Sequence, residues 1–228
     1  MRQRMMVILA VLLIFLGACA PGKPAVVQAK KYKKGFVYNK LSSELKSQMK
    51  GKSYPKTGAK ISFSELREVE VKYYDFNGNT RSGTLIVNKK IALKTAKIFY
   101  ELYQIRYPIQ RIRPIDAYDA DDTRSMEANN TSAFNYRTVE GSTKLSMHSM
   151  GLAIDLNPRI NPCIRNGKVD PPNGKVYKNR NVNKCKGKYK KYMIQKGDKV
   201  YKIFKKYGFK WGGEWYSLKD YQHFEYTG

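Results

Sequence analysis

The chain has 228 residues, of which 42% are hydrophobic and 13% are aromatic. This composition is sufficient for a buried core and excludes an intrinsically disordered protein. The formal net charge is +26, from 44 lysine and arginine residues against 18 acidic ones. A charge this positive attracts polyanions over a long range. Nucleic acid would be the first candidate partner, but the N-terminal residues argue against it.

The first residues have the pattern of a secretory signal. A basic segment, residues 1–4, precedes an unbroken apolar run over residues 5–15, which is too short for a comfortable membrane span of about 20 residues. The next four residues, "LGAC", resemble a bacterial lipobox, in which a signal peptidase cuts before the cysteine and the thiol receives a diacylglycerol. We therefore expect a lipoprotein-type signal peptide over residues 1–19 and a lipid anchor at Cys19. The alternative is an ordinary cleavage site with an incidental cysteine.

This signal determines which partners are expected. The protein is predicted to lie in the cell envelope, anchored to a bacterial membrane and facing outside the cytoplasm, so nucleic acid is excluded as a partner. The remaining polyanions are anionic wall polymers, anionic lipids and acidic glycans. The sequence does not distinguish an inner from an outer membrane. We expect a monomer.

Lysine dominates the residues after the signal. Residues 20–38 are rich in lysine, with proline and glycine at the start, and we expect a flexible tether. Leu41, Leu45 and Met49 recur every four residues and predict a short amphipathic helix that ends at Gly51.

The rest of the chain, residues 39–228, is predicted to be one α+β domain. Residues 65–88 alternate around an "NGN" turn and predict a hairpin, and residues 89–107 have helical spacing. An irregular stretch over residues 114–144 is typical of a functional loop. Residues 165–190, rich in lysine, asparagine, glycine and proline, are expected to be a mobile surface insertion.

A second helical stretch, residues 193–207, precedes a β-prone "QHFEY" at residues 222–226. The mixed order of elements predicts a small central antiparallel sheet with helices packed on one side and a zinc site in a cleft at the sheet. Beyond the signal, Cys163 and Cys185 are the two remaining thiols. In an oxidising compartment they are candidates for a disulfide that would stabilise the fold by about 3 kcal/mol, with two free thiols as the alternative.

The chain has only two histidines, and each is followed by a carboxylate, seven residues after His148 and two residues after His223. His148 and Asp155 occur in "SMHSMGLAIDL", residues 146–156, and His223 occurs in the last predicted strand. Two histidines and one carboxylate form a standard ligand set for catalytic zinc, with the fourth position open. A turn at Gly151 followed by a strand would direct Asp155 to the face opposite Leu152, Ile154 and Leu156.

A zinc hydrolase also needs a base and a cation. Asp220 and Glu225 are the two carboxylates near His223, and the sequence does not choose between them; Glu225 would share a strand face with His223, and Phe224 would enter the core. Arg137, in the loop before the first histidine, is the best placed cation for an oxyanion or a substrate carboxylate, with Arg124 as its competitor.

Two motifs, "SMHSMGLAIDLNP" and "DYQHFE", together resemble the zinc D-alanyl-D-alanine carboxypeptidase family. This family includes vancomycin-resistance carboxypeptidases and dipeptidases and some phage L-alanyl-D-glutamate endopeptidases. The resemblance extends over roughly residues 62–228 and includes "SMEANNTSAFNYR" and "WGGEW".

The resemblance implies a role for five residues. His148, Asp155 and His223 would ligate one zinc ion, Asp220 would be the general base, and Arg137 would stabilise the transition state or bind the peptide terminus. Many relatives have glutamate where this chain has Asp220, whereas the endopeptidase-like members often have aspartate. This departure leaves the cleaved bond open.

Three functions are therefore compared. The first is a zinc peptidase that acts on peptidoglycan stem peptides, as a D-alanyl-D-alanine carboxypeptidase or an L-alanyl-D-glutamate-type endopeptidase. The second is an iron(II) oxygenase, which also uses two histidines and a carboxylate. In that class one residue usually separates the first histidine from the carboxylate, whereas six residues separate His148 from Asp155. The third is a non-catalytic lipoprotein that binds the cell wall and retains a metal for structure.

Overall fold

The computed structural model describes residues 29–228. The expected signal peptide, residues 1–19, and the lipid anchor at Cys19 lie outside the described residues. Among the helices of residues 29–228, none is both long enough and apolar enough to cross a membrane.

Short elements make up most of the domain. In chain order, the strands within the described residues are β1 (Lys30–Lys33), β2 (Phe36–Lys40), β3 (Leu66–Tyr74), β4 (Thr80–Asn88), β5 (Arg111–Ile112), β6 (Asn130–Thr131), β7 (Ala153–Asp155), β8 (Cys163–Arg165), β9 (Lys168–Asp170), β10 (Phe209–Trp211), β11 (Lys219–Asp220) and β12 (His223–Tyr226). The α-helices are α1 (Ser43–Met49), α2 (Ala92–Gln104), α3 (Asp122–Glu127) and α4 (Lys199–Lys206). The 3-10 helices are Phe63–Glu65, Ile115–Tyr118, Met147–Met150, Pro172–Tyr177, Lys190–Tyr192 and Gly212–Glu214.

The larger sheet has the order β1-β2-β3-β4, with every pair antiparallel. β3 and β4 form the predicted hairpin, and their alternating residues bury one face, including Val69 and Val71. Helix α2 packs on this face through the buried side chains of Ala96, Phe99 and Leu102. The predicted hairpin and the predicted helix across the sheet are both present.

A second antiparallel sheet, with the order β10-β12-β7, shares the same hydrophobic core. Its contact with α4 is a stacked pair of rings, Phe204 and Phe224, with centroids 3.8 Å apart. Antiparallel sheets with helices against them make an α+β fold, as predicted from the order of the elements.

The predicted boundaries shift at two further helices. α1 contains two of the three residues that predicted it, and its buried Met49 packs in a cluster with Leu41. α4 begins at Lys199 rather than at the predicted Met193, because the Asp198 side chain accepts a hydrogen bond from the backbone N–H of Tyr201 and so caps the helix.

The expected tether over residues 20–38 ends earlier than predicted. Residues 30–33 and 36–40 form β1 and β2, and β2 pairs with the β3 strand of the hairpin. The reason is Phe36, which is 1% exposed and packs edge-on against the ring of Tyr100 at 5.3 Å between centroids. One aromatic side chain therefore joins this lysine-rich segment to the core.

The expected insertion over residues 165–190 is packed on the domain. The Arg180 guanidinium donates hydrogen bonds to the carbonyl oxygen of Ile160 at 2.7 Å and to Oδ1 of Asn161 at 2.9 Å. Tyr177 and Cys185 are buried beside Ile160. The mobility of the segment stays a prediction.

The disulfide candidate is not formed in this structure. Cys163, in β8, and Cys185 are both free thiols. The Cys185 thiol donates a hydrogen bond to the carbonyl oxygen of Val176 at 3.4 Å. The two cysteines therefore occupy separate environments, and the structure agrees with the alternative of two free thiols.

The turn of the β3–β4 hairpin depends on one buried carboxylate. Asp75 accepts hydrogen bonds from the backbone N–H groups of Asn77 and Asn79, both at 2.9 Å, and from Nε of Arg81 at 3.0 Å. Burial acts to raise the pKa of Asp75, but these donors outweigh it and lower the pKa to about 2.

We predict that Asp75→Asn has a lower free energy of unfolding than the unmodified chain at pH 7. The difference between the two free energies should become smaller as the pH falls. The folded-state pKa is depressed, so the stabilisation is present above the unfolded pKa of about 3.9 and is lost as the pH falls toward about 2. Urea unfolding at pH 7 and at pH 2 measures this difference. Glu127→Gln, at an exposed carboxylate, is the control, and an equal difference at both pH values would contradict this role for Asp75.

Candidate metal centre

A tight turn presents His148. The 3-10 helix Met147–Met150 is capped by Ser146, whose hydroxyl accepts a hydrogen bond from the backbone N–H of His148 at 3.3 Å. The turn ends at Gly151, which has a φ of +64°, and a Cβ atom there would lie 2.7 Å from the backbone nitrogen of Asn88. Glycine is therefore required where the chain reverses into β7, as the sequence predicted.

Two neighbouring strands present the other two residues. In the antiparallel pair of β7 and β12, Asp155 lies directly opposite His223, and Ile154 lies opposite Phe224. Ile154 and Phe224 are fully buried in the core, so the residues on either side of them point to the opposite face. The alternation predicted from "LAIDL" and "QHFEY" therefore places Asp155 and His223 side by side.

The three side chains meet at one point. The Nε2 atom of His148 lies 3.1 Å from Nδ1 of His223 and 3.2 Å from Oδ2 of Asp155. The Nδ1 atom of His223 lies 3.2 Å from Oδ1 of Asp155. All three residues are buried, at 4%, 9% and 6% exposure for His148, Asp155 and His223.

Each histidine has a partner on its outer nitrogen. The Nδ1 atom of His148 lies 2.5 Å from the carbonyl oxygen of Ala133, so Nδ1–H donates there and the lone pair of Nε2 faces the centre. The Nε2 atom of His223 lies 3.3 Å from Oε2 of Glu225, which leaves Nδ1 facing the centre. Such outer partners fix the tautomer and the orientation of metal-binding imidazoles.

The charges of the cluster favour a cation between the three residues. Burial acts to raise the pKa of Asp155, but the interactions with His148 and His223, hydrogen bonds among them, hold it well below its usual range. Burial acts to lower the pKa of His223, but its hydrogen bonds to Asp155 and Glu225 raise it to about 10. The carboxylates that hold a proton on His223 would equally stabilise a metal ion that displaces this proton.

This donor set fits a zinc ion. Imidazole nitrogens and carboxylate oxygens are standard zinc ligands, with bonds of about 2.0–2.2 Å to the metal. With one atom taken from each residue, the candidate ligand atoms of His148, Asp155 and His223 lie within 4.8 Å of one another, and the two facing imidazole nitrogens are 3.1 Å apart. Among the described residues, His148, Asp155 and His223 are the group of three that could hold an ion, which leaves the fourth tetrahedral position without a protein ligand.

Asp220 stands beside the cluster without joining it. Burial raises the pKa of Asp220 to about 6, while the positive charge of His223 opposes this shift. Its Oδ1 atom is enclosed and has no hydrogen-bond partner among residues 29–228. A carboxylate with a free, enclosed oxygen and a pKa near neutrality can accept a proton at this place.

The "WGGEW" segment forms the floor of the site. The two chain segments at Gly212 approach so closely that a Cβ atom there would lie 2.7 Å from the carbonyl oxygen of Asp220 and 3.3 Å from Cβ of His223. The Trp215 ring lies 5.1 Å from the His223 ring, and the Trp211 ring is in the core. The two tryptophans thus pack as rim and core, and the absence of a side chain at Gly212 allows Asp220 and His223 to lie close to it.

The structure brings Arg137 near the histidine turn but not into contact with the cluster. Its backbone N–H donates to the Ser149 hydroxyl at 2.8 Å, so the loop is tied to the turn that carries His148. Its guanidinium forms an ion pair with Asp122 of α3. The competitor, Arg124, pairs with Asp119 at 3.1 Å and is exposed.

Two contributors to the site were not identified from the sequence, and two others were noted there without their role in the site. The carbonyl oxygen of Ala133 carries no residue-type signal, and the partner of Arg137, Asp122, becomes visible only when α3 is placed. Glu225 was recognised as a carboxylate near His223, but its position at the outer nitrogen depends on the ring orientation. Gly212 lay within a motif that carried the family resemblance.

Residues 140–226 match a protein-family model described as D-alanyl-D-alanine carboxypeptidase, a peptidase family. The matched segment contains His148, Asp155 and His223, so the match confirms the resemblance indicated by the two motifs. It is shorter than the region of resemblance in the sequence, and Arg137 lies just before it. Neither a curated protein nor a solved structure matches the chain.

We predict that Gly212→Ala weakens zinc binding by about tenfold or more, since the new methyl group displaces Asp220 and His223 and a disturbed ligand orientation costs affinity on this scale. Competition with a chromogenic chelator measures the affinity. Gly228→Ala is the control, because a Cβ atom there meets nothing within 4 Å. Unchanged zinc affinity in Gly212→Ala would show that the close approach does not position the site.

Proposed function

From the match over residues 140–226, we propose that this protein is a zinc-dependent peptidase of peptidoglycan stem peptides, with an activity of the D-alanyl-D-alanine carboxypeptidase type. The observation that carries this proposal is the convergence of His148, Asp155 and His223, whose ligand atoms lie within 4.8 Å of one another. These residues would hold one zinc ion. Zinc supplies Lewis acidity that brings the pKa of a coordinated water toward about 7.

Asp220 is the proposed general base. It stands next to the proposed ligands, and its enclosed Oδ1 atom has no hydrogen-bond partner among residues 29–228. A base with a pKa of about 6 is mostly ionised at pH 7 and can still pass the proton on to the leaving amine. Glu225, the rival, faces the outer nitrogen of His223, on the far side of the ring from the ligand cluster.

Arg137 is the proposed cation for the substrate. Its backbone is fixed to the histidine turn by Ser149, and its half-exposed guanidinium is paired with Asp122. A substrate carboxylate could exchange with Asp122, because a guanidinium fork binds a carboxylate in bidentate fashion. This role suits a terminal carboxylate and therefore supports cleavage near the end of a stem peptide.

An endopeptidase of the L-alanyl-D-glutamate type is the second candidate. The observation in its favour is Asp220 itself, because the endopeptidase-like members of the resembling family often have aspartate at this position. The two candidates share the metal centre and differ in the bond that is presented to it.

The other two hypotheses receive less support from the geometry. A structural zinc site is usually closed by four protein ligands, and neither Asp220 nor Glu225 joins the three-residue group within the described part of the chain. The match of residues 140–226 to a peptidase family argues against an iron(II) oxygenase. The proposed location remains the cell envelope, with a lipid anchor at Cys19 and with peptidoglycan peptides as substrates.

We predict that the purified protein shortens a stem pentapeptide ending in D-alanyl-D-alanine by one alanine. The reaction should stop in chelator and return when zinc is added. Mass spectrometry of the products identifies the bond, since cleavage between L-alanine and D-glutamate gives different masses. Absence of any product, with zinc bound and wall material retained, would favour the non-catalytic lipoprotein.

A pair of variants distinguishes the base from the orienting carboxylate. Asp220→Asn should lower kcat by about 10²- to 10⁴-fold with zinc affinity almost unchanged, because only proton transfer is lost. Glu225→Gln should weaken zinc binding by about tenfold, because it loses the anionic partner of His223. Zinc content and kcat are measured for both variants. The reverse pattern, with kcat lost and zinc retained in Glu225→Gln, would make Glu225 the base.

A further inference from the structure

A cavity of about 760 Å³ lies beside the β3–β4 turn and contains none of the metal-centre residues. Its lining includes three arginines, Arg81, Arg111 and Arg113, but a single carboxylate, Asp75. A volume of this size is within the range of small-molecule sites, which is about 300–1,000 Å³. The cavity is therefore large enough for more than a single ion.

The one carboxylate does not neutralise the arginines. Asp75 is occupied by the donors of its own turn and by Nε of Arg81. Among residues 29–228, no carboxylate lies within ion-pair distance of Arg111 or Arg113. The cavity therefore has a surplus of positive charge that the protein itself leaves unbalanced.

Two further observations concern the arginines of this lining. The Nε atom of Arg111 is enclosed and has no hydrogen-bond acceptor among the described residues. Arg81 lies directly opposite Tyr73 in the β3–β4 hairpin. Burial raises the pKa of the Tyr73 hydroxyl, and the positive charges of Arg113 and Arg81 oppose this shift. An enclosed N–H without an acceptor costs stability and is expected to have a partner.

An aromatic pair forms another part of the lining. The rings of Phe76 and Tyr189 lie 4.3 Å apart between centroids and are both lining residues. Aromatic faces give apolar contact to the carbon atoms of a polyol or a sugar, while guanidiniums bind its charged groups.

We propose that this cavity binds a phosphodiester-linked polyol or sugar chain, with Arg111 and Arg113 on phosphate oxygens and the Phe76 and Tyr189 rings against the carbon chain. Two guanidiniums from separate positions can share the oxygens of one tetrahedral phosphate. A planar carboxylate offers only two oxygens and suits a single guanidinium fork.

The cavity is close to the metal centre. In the parallel pair of β5 and β6, Ile112 lies opposite Thr131, and the next residue, Ser132, pairs with Asp155. Neighbouring strands are about 4.8 Å apart, so the backbone of β5 is about 10 Å from that of β7. A polymer held in the cavity would therefore keep the peptidase beside its substrate, although the binding itself does not depend on peptide cleavage.

The test measures binding of a short glycerol phosphate oligomer to the metal-loaded protein by titration calorimetry at fixed ionic strength. The double variant Arg111→Gln, Arg113→Gln should lose at least about tenfold in affinity, because charge-assisted hydrogen bonds are lost. The matched control Lys199→Gln, Lys202→Gln removes two exposed charges of α4 and should change the affinity less than about twofold.

Two results would overturn the proposal. An equal loss in both double variants would assign binding to net charge alone, and equally tight binding of an oligogalacturonate would reject phosphate recognition. If the glutamine variant does not fold, Arg111→Lys, Arg113→Lys retains the charge without the guanidinium fork and should still lose about threefold or more. Zinc content and circular dichroism verify that each variant is folded, and the hydrolysis assay is independent of these results.

Discussion

The metal centre depends on the register of one pair of short strands. β7 and β12 align Asp155 with His223 because Ile154 and Phe224, one residue away on each strand, are buried in the same core. A slip of one residue would exchange the two faces and send both ligands into the hydrophobic core. The apolar residues of these strands therefore determine where Asp155 and His223 lie, and the candidate site depends on packing that has no chemical role of its own.

The same site contains several buried polar side chains, which must form hydrogen bonds with one another because water does not reach them. Asp155 uses both of its oxygens on the two histidines, and each histidine uses its outer nitrogen on Ala133 or Glu225. The result is a set of side chains with fixed orientation before any ion binds, so little reorganisation is needed for metal binding. Asp220 is the exception, with one enclosed oxygen left unpaired among the described residues, and this exception is what favours a role in proton transfer.

Much of this arrangement could be predicted from the sequence because it follows local rules. The strand period of two placed Asp155 opposite the core residues, and a glycine marked the turn after His148. Contacts between distant segments could not be predicted in this way. The partner of Arg137 on α3 and the close approach at Gly212 depend on tertiary packing, for which spacing within one segment carries no signal.

For the lysine-rich segment, residues 20–38, the sequence predicted less regular structure than the chain has. Its composition is typical of a tether, and lysine is a poor strand residue, yet Phe36 and the free edge of β3 were enough to recruit it into the larger sheet. Composition describes the average of a segment, whereas one buried aromatic side chain can decide its structure.

X-ray absorption at the zinc edge reports which atoms bind the ion. For the protein loaded with one equivalent of zinc, we expect scattering from two imidazoles and light atoms at about 2.0–2.2 Å, without sulfur. A sulfur shell near about 2.3 Å, which would implicate Cys163, or the failure of the protein to retain one zinc ion, would contradict a centre built from His148, Asp155 and His223.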